Sequence, residues 1–220
     1  MESIGILGGT FNPVHIVHIR LALEVREQLG LSRLDLVPVS QAPHKDNAGL
    51  LPFAVRMDLV QRAVAGLHGL TVNSIEARRQ GPSYTYDTLQ EYHRVEGNAE
   101  LFFIMGSEDV TSLPQWYKGL ELPDLAHLVV VCRAGWEREP MDVCVKRAWP
   151  GAVMMPAGWR LPGDFMDICY LEMPRLDISA SMIRTKWATG RSLRFLVPGM
   201  VEKYLEENRQ EVGRYWGNKE

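Results

Sequence analysis

Cysteine is scarce in this chain of 220 residues: there are three, Cys132, Cys144 and Cys169, scattered and odd in number. None falls in a CxxC spacing, which excludes a disulfide framework and a cysteine-rich zinc module and leaves buried free thiols in a reducing compartment as the expectation. Long apolar runs are missing too; nothing approaches the ~20 residues that a membrane span takes. Nor does charge of one sign dominate. The net charge of −3 gives no electrostatic case for a nucleic-acid or membrane partner, so a substrate anion must be met by a local positive site. The sequence has no internal repeat and no low-complexity linker, and it starts directly with an apolar strand rather than a signal peptide, which predicts a cytoplasmic protein.

What is present is an ordinary globular composition, 46% hydrophobic and 23% charged, enough to bury a full core within one domain. Short apolar runs at residues 4–7, 34–39, 70–75, 101–105, 128–132 and 168–171 read as strands. Between them, helical spacing covers residues 13–29 (closed by Gly30), 53–67, a stretch after the loop 81–88 to about 95, and 142–147. Alternating strands and helices predict right-handed βαβ units: an α/β, doubly wound, Rossmann-like parallel sheet with helices on both faces. Residues 1–178 form that core, and 179–220 are expected to be a small C-terminal helical extension, with helices from 179 and over 201–207 and a polar tail fraying from 208. The rest of 133–167 reads as loop.

The chain is organised around its first eighteen residues. The run from Ile4 to Leu7 ends on Gly8-Gly9, which need no Cβ clearance and let a polyanion approach the backbone. Asn12-Pro13 is expected to start a helix, since the residue before proline is pushed to extended dihedrals and proline suits the first helical position. His15 and His18 then share a face near its positive end. Strand, glycine turn and helix start together make an anion site, to which two imidazoles add proton-dependent donors. Plain helix histidines, or a zinc site through His15, His18 and His44, are the competing readings; no cysteine or second HxxH supports the latter.

Three other places add chemistry. Ser179, Ala180 and Ser181 open a helix with Ser179 as N-cap and Arg184 one turn after Ser181, a second candidate anion site that a strand order reversing beside the first strand would bring to the same sheet edge. Lys45 follows the second strand, at the edge where such folds bind ligands, and could clamp a polyphosphate as a mobile point charge. Trp116 follows the fourth strand in Leu-Pro-Gln-Trp and is either a stacking surface for a flat heterocycle or a core residue.

These residues, together, resemble the bacterial nicotinate-nucleotide adenylyltransferases of the nucleotidyltransferase superfamily with the HxGH signature, and the likeness runs almost end to end. Gly8 to His15 resembles the GGTFDP or GGTFNP opening, Pro43-His44-Lys45 the PHK loop, Gly81 to Thr85 with Asp87-Thr88 the GPSYT segment and its DT pair, Leu113-Pro114 with Trp116 the LPxW segment, and Ile178 to Arg184 the ISxxxIR phosphate motif. The resemblance implies transfer of AMP from ATP to nicotinate mononucleotide with Mg²⁺ bound to the ATP phosphates. It implies catalytic roles for His15, His18, Lys45 and Arg184, and ATP contacts from Gly8, Gly9, Thr10, Phe11, Gly106, Ser179, Ser181, Met182 and Ile183. Nicotinate mononucleotide contacts are implied for Lys45, Ser83, Tyr84, Thr85 and Trp116, with no protein-held metal, no nucleic acid or membrane partner, and a homo-oligomer left open. In such chemistry the substrate phosphate is itself the nucleophile, so no serine, cysteine or triad is required.

Two residues depart from the pattern. Val17 replaces the HxGH glycine, adding bulk where the adenine would fit, and Glu108 replaces the aspartate expected after Gly106-Ser107, so its contact is either shifted or taken by Asp109. Rival readings are an adenylyltransferase for nicotinamide mononucleotide or phosphopantetheine, a non-catalytic nucleotide-binding regulator blocked by Val17, and a class I tRNA synthetase fragment, which the absence of net basic charge disfavours.

Overall fold

The computed structural model describes residues 1–41, 49–133 (the side chain of residue 133 excepted) and 138–217. Its centre is one eight-stranded sheet. In chain order the elements are β1 (Ser3–Gly9), α1 (Ile16–Leu29), β2 (Arg33–Pro38), α2 (Phe53–Val64), β3 (Leu70–Val72), α3 (Thr85–Glu96), β4 (Glu100–Gly106), α4 (Ser107–Ser112), β5 (His127–Arg133), α5 (Glu139–Ala148), β6 (Val153–Met155), β7 (Gly158–Arg160), β8 (Ile168–Met173), α6 (Ala180–Ala188), α7 (Gly199–Glu207) and α8 (Arg209–Trp216).

The strand order is β3-β2-β1-β4-β5-β8-β7-β6. From β3 through β8 every pairing is parallel, and the order turns back between β1 and β4, so the carboxyl ends of those two strands flank the crevice where open α/β sheets bind ligands. Alternation along the central strands separates two cores. Ile4, Ile6, Leu101, Phe103, Met105, Leu128 and Val130 face one cluster with Leu89, Met141 and Val145 of α3 and α5. Leu7, Ile104, Val129 and Val131 face the other, with Ala22 and Val25 of α1, Leu59 of α2, Ile183 of α6, Leu205 of α7 and Trp216 of α8. Helices therefore cover both faces, as predicted, because each strand carries apolar side chains in both directions. The fold is the mostly parallel, Rossmann-like sheet that the sequence predicts.

Five expectations are corrected. The first helix begins at Ile16, not at residue 13: the Asn12–Pro13 peptide is cis, Phe11 has φ 46°, and His15 is the N-cap. The expected loop between the helix and β8 is not all loop: Val153–Met155 and Gly158–Arg160 form an antiparallel hairpin, β6 and β7, on β8, making the sheet mixed. These strands have only three residues each, too few for alternation to show. Gly158 permits the contact, since a Cβ there would lie 1.9 Å from the Ile168 carbonyl oxygen. Finally, the stretch Arg209–Trp216 does not fray: it forms α8, which buries Val212 and Trp216, an i,i+4 pair too sparse to stand out in a polar sequence. The third strand and second helix are shorter than predicted, ending at Val72 and Val64, and a 3-10 turn, Ile75–Arg78, follows the former.

Candidate active site

β1 delivers Gly8 and Gly9 to the crevice. A Cβ on Gly9 would lie 2.9 Å from the Phe11 ring, whereas at Gly8 the nearest atom is Phe103 Cε2 at 3.9 Å. Gly9 is thus required by the fold of its own loop, while Gly8 leaves open space. Phe11, almost wholly buried, stands edge-on to His18 with centroids 5.0 Å apart, so its left-handed backbone serves to wedge the histidine.

The two histidines meet at the start of α1. The His15 N–H donates to His18 Nδ1 at 3.1 Å, and the rings stack with centroids 3.7 Å apart. An Nδ1 that accepts leaves the proton of the neutral ring on Nε2, so His18 offers an Nε2–H donor. His15 is buried, and its Nδ1 has no hydrogen-bond partner among the described residues. Burial lowers the His15 pKa to about 4; burial, then the His15 charge, holds His18 well below its ordinary value. Both are therefore neutral at pH 7.

Fixed positive charge comes from α6. Arg184 donates through Nη1 to the Asn12 carbonyl at 2.8 Å and through Nη2 to Ser181 Oγ at 3.1 Å, so the second anion site is tied to the first. Burial lowers the guanidinium pKa, but from so high a value that it stays a cation. Ser179 is the N-cap, its Oγ accepting from the Met182 N–H at 3.2 Å. Ile183 packs its side chain into the core and donates its N–H to the Ser179 carbonyl, so its part is structural.

A cavity of about 350 Å³ opens beside this loop, between β1, β4 and α3. Gly8, Gly9, Thr10, Ser83, Tyr84, Thr85 and Trp116 line it, joining seven of the predicted residues. Thr85 begins α3 rather than lying in a loop, and Tyr84 at the N-cap gives no side-chain cap, so the first-turn N–H groups are presented at the helix end. Trp116 is both things the sequence allowed: a half-buried residue against the core and a wall of the cavity, its Nε1–H held by Ser112 Oγ at 3.1 Å. Lys45 and His44 lie outside the described residues. Phe11, His15, His18, Gly106, Ser179, Ser181, Met182, Ile183 and Arg184 do not line the cavity, although Phe11 adjoins Thr10, which does.

Sequence reasoning missed Asn12 and Glu76. Asn12 is buried, gives Nδ2–H to the Gly49 carbonyl at 2.8 Å and takes the Leu51 N–H on Oδ1 at 3.1 Å. Glu76 lines the cavity and joins its walls, accepting from Thr88 Oγ1 at 2.9 Å and from the Ser40 N–H at 3.2 Å. An acid within a short polar segment gives no sign of burial. At the position of the family's aspartate, Glu108 is exposed, whereas Asp109 lines the cavity and accepts the Gly106 N–H on Oδ2 at 2.9 Å.

Residues 6–186 match the family model described as cytidylyltransferase-like. A Geotalea daltonii protein named "Probable nicotinate-nucleotide adenylyltransferase" is 41% identical over 212 residues, covering 94% of this chain and 96% of its own. One of the same name from Pelobacter propionicus is 38% identical over 214 residues, covering 94% and 97%. The solved structure of Plasmodium falciparum nicotinic acid mononucleotide adenylyltransferase complexed with NaAD superposes with a TM-score of 0.75 over the whole of both chains, at 16% identity, a likeness of fold. The chain belongs to the cytidylyltransferase-like nucleotidyltransferases, and within them to the nicotinate-nucleotide adenylyltransferase family.

Proposed function

We propose that the protein transfers AMP from ATP to nicotinate mononucleotide, giving nicotinate adenine dinucleotide and pyrophosphate. The observation that carries this reading is the juxtaposition at one sheet edge of a cavity of nucleotide-fitting chemistry and the loop with His15, His18 and Arg184. The relatives' names point to the same substrates.

In this reading the pyridine enters the cavity, flat against Trp116, and its carboxylate meets the first-turn N–H groups of α3, where a helix favours an anion. The triphosphate lies along Gly8 to Phe11 and the start of α6, with Lys45 as a further cation. A phosphate oxygen of nicotinate mononucleotide attacks the α-phosphorus of ATP, that P–O bond forms as the bond to the β-phosphate bridging oxygen breaks, and pyrophosphate leaves with the electron pair. The His18 Nε2–H and the Arg184 guanidinium stabilise the charge that builds on the transferring and leaving oxygens, without covalent participation. Residues 1–178 and 179–220 then act as one unit, a view supported by the shared core of Leu7 and Trp216.

Mg²⁺ fits this site as an ion carried by the substrate. Among the described residues no three His, Cys, Asp or Glu side chains cluster to hold a metal, and Mg²⁺ is commonly bound by phosphate oxygens and water. Bound there, it would neutralise phosphate charge. The test is pyrophosphate release by purified protein with ATP and each acceptor in turn. Release with nicotinate mononucleotide far above that with nicotinamide mononucleotide or phosphopantetheine is expected. ATP binding without release would instead indicate a regulator.

A further inference from the structure

We propose that the C-terminal helix α8 is a positioning element of the phosphate loop, acting through the indole N–H of Trp216. The proposal rests on the reading of residues 8–18 as the phosphate site.

Two donors converge on one carbonyl. Gly49 O accepts Asn12 Nδ2–H at 2.8 Å and Trp216 Nε1–H at 3.1 Å, filling both lone pairs. Asn12 is the hinge-pin of the phosphate loop: its Oδ1 takes the Leu51 N–H and its carbonyl takes Arg184 Nη1–H. A buried guanidinium laces the same two segments, Arg56 donating to the Leu51 carbonyl at 3.0 Å and to the Thr10 carbonyl at 2.8 Å. Gly49, at φ 75°, occupies a conformation that only glycine adopts freely, and among the described residues these two donors hold its carbonyl.

Trp216 reaches the site by a second route. Its ring stands edge-on to Trp187 at 5.6 Å, and Trp187 belongs to α6, the helix that carries Arg184. Arg209, at the start of α8, lies over the Trp187 ring at 4.7 Å and donates to the Trp187 carbonyl at 3.3 Å. One helix therefore braces both anion-binding segments, although none of its residues lines the cavity. The indole N–H holds the Gly49 carbonyl where Asn12 needs it; losing that N–H leaves the Asn12 bond in place but lets the carbonyl rotate.

The test uses the full chain with Trp216→Phe, which keeps an aromatic ring and removes the donor. Trp187→Phe is the control, since it loses an indole bond of the same cluster, to the Leu205 carbonyl, while keeping an aromatic ring against Trp216 and leaving the Trp216–Gly49 bond in place. Trp216→Phe should speed hydrogen exchange at the Leu51 amide about fivefold, roughly what one net hydrogen bond amounts to, and raise KM for ATP by a similar factor with kcat little changed. Trp187→Phe should do neither at a similar melting temperature. Leu51 exchange unchanged in Trp216→Phe, or changed equally in both variants, overturns the proposal. Were Trp216→Phe not to fold, the indole N–H resonance of Trp216 in the wild-type protein decides: it should shift on adding ATP, and an unmoved resonance overturns the proposal. A wild-type protein that makes no pyrophosphate from ATP and nicotinate mononucleotide would sink the proposed function while leaving the exchange measurement to decide this one.

Discussion

His15 and His18 are joined backbone to ring: the His15 N–H donates to His18 Nδ1 at 3.1 Å, which fixes the tautomer of His18 and leaves the proton on Nε2. An imidazole so oriented is a preset donor for charge that appears only in the transition state. His18→Ala should therefore lower kcat by roughly 10²–10³, the range for a lost transition-state donor, and change acceptor KM little. Steady-state kinetics on the folded variant would check this; a fall below about tenfold would exclude the electrostatic role.

The same pair makes stability depend on pH. The His15 pKa is lowered from 6.5 to about 4 in the folded protein, and His18 lies well below its ordinary value. Below pH 6.5 the unfolded chain binds protons that the folded chain refuses, so stability is full above that pH and falls as pH drops toward about 4. Denaturation midpoints measured between pH 7 and 4 should show this slope, and His15→Asn should flatten it. An unchanged slope in the variant would mean that other groups dominate.

Asp109 rather than Glu108 is expected to carry the acidic role after β4, because it lines the cavity and caps α4 by accepting the Gly106 N–H. Asp109→Ala should lower kcat/KM at least tenfold and cost about 0.5–2 kcal/mol, the usual loss for a helix cap. Glu108→Ala, at an exposed position, should change stability by less than about 0.5 kcal/mol and activity hardly at all. Equal effects of the two substitutions would refute this assignment.

How much of this was legible depends on whether a feature has a period or a local signature. The strand and helix alternation, the Gly30 stop and the Ser179 cap were readable because each depends on neighbours in sequence, and the structure has Gly30 in the left-handed conformation and Ser179 capping Met182. The stretch Gly8 to His18 was legible as a site, but its geometry was not. The rule that places proline at the start of a helix failed at Pro13, where Asn12 and Pro13 form a turn held by the contacts of Asn12 with Gly49 and Leu51, and the helix starts only at Ile16. Glu76, Asn12 and Trp216 were hidden for a common reason: each acts through a partner more than thirty residues away.

Trp116 forms a wall of the cavity with its indole N–H anchored to Ser112, which on the proposed reading holds its ring for a flat ligand. Stacking of a base on an aromatic is worth about 1–3 kcal/mol, which corresponds to roughly 5- to 150-fold in affinity. Trp116→Ala should thus raise KM for the pyridine nucleotide within that range and well above any rise for ATP. Similar rises for both substrates would identify Trp116 as a support for the whole site.

Val17 is where the chain leaves the pattern of the family, and two effects of opposite sign meet there. It is the second residue of α1, half-buried, between the cap His15 and the donor His18. At about 100° per residue it flanks the face of the histidines rather than opposing it. The Ile16 N–H beside it is bound by the Leu196 carbonyl at 3.0 Å, so the helix start is pinned and cannot swing away to make room. Glycine at residue 17 would let a flat base lie against bare backbone, whereas valine adds a stiff, branched side chain. Valine steadies the first helical turn by a few tenths of a kcal/mol relative to glycine. Crowding a base against it costs about 1–3 kcal/mol, the usual range for overpacking. The second effect is larger, so Val17→Gly should lower KM for ATP severalfold while lowering the melting temperature slightly. Kinetics and thermal unfolding of that one variant would check both halves, and unchanged or weaker ATP affinity would show that the pocket is built around Val17.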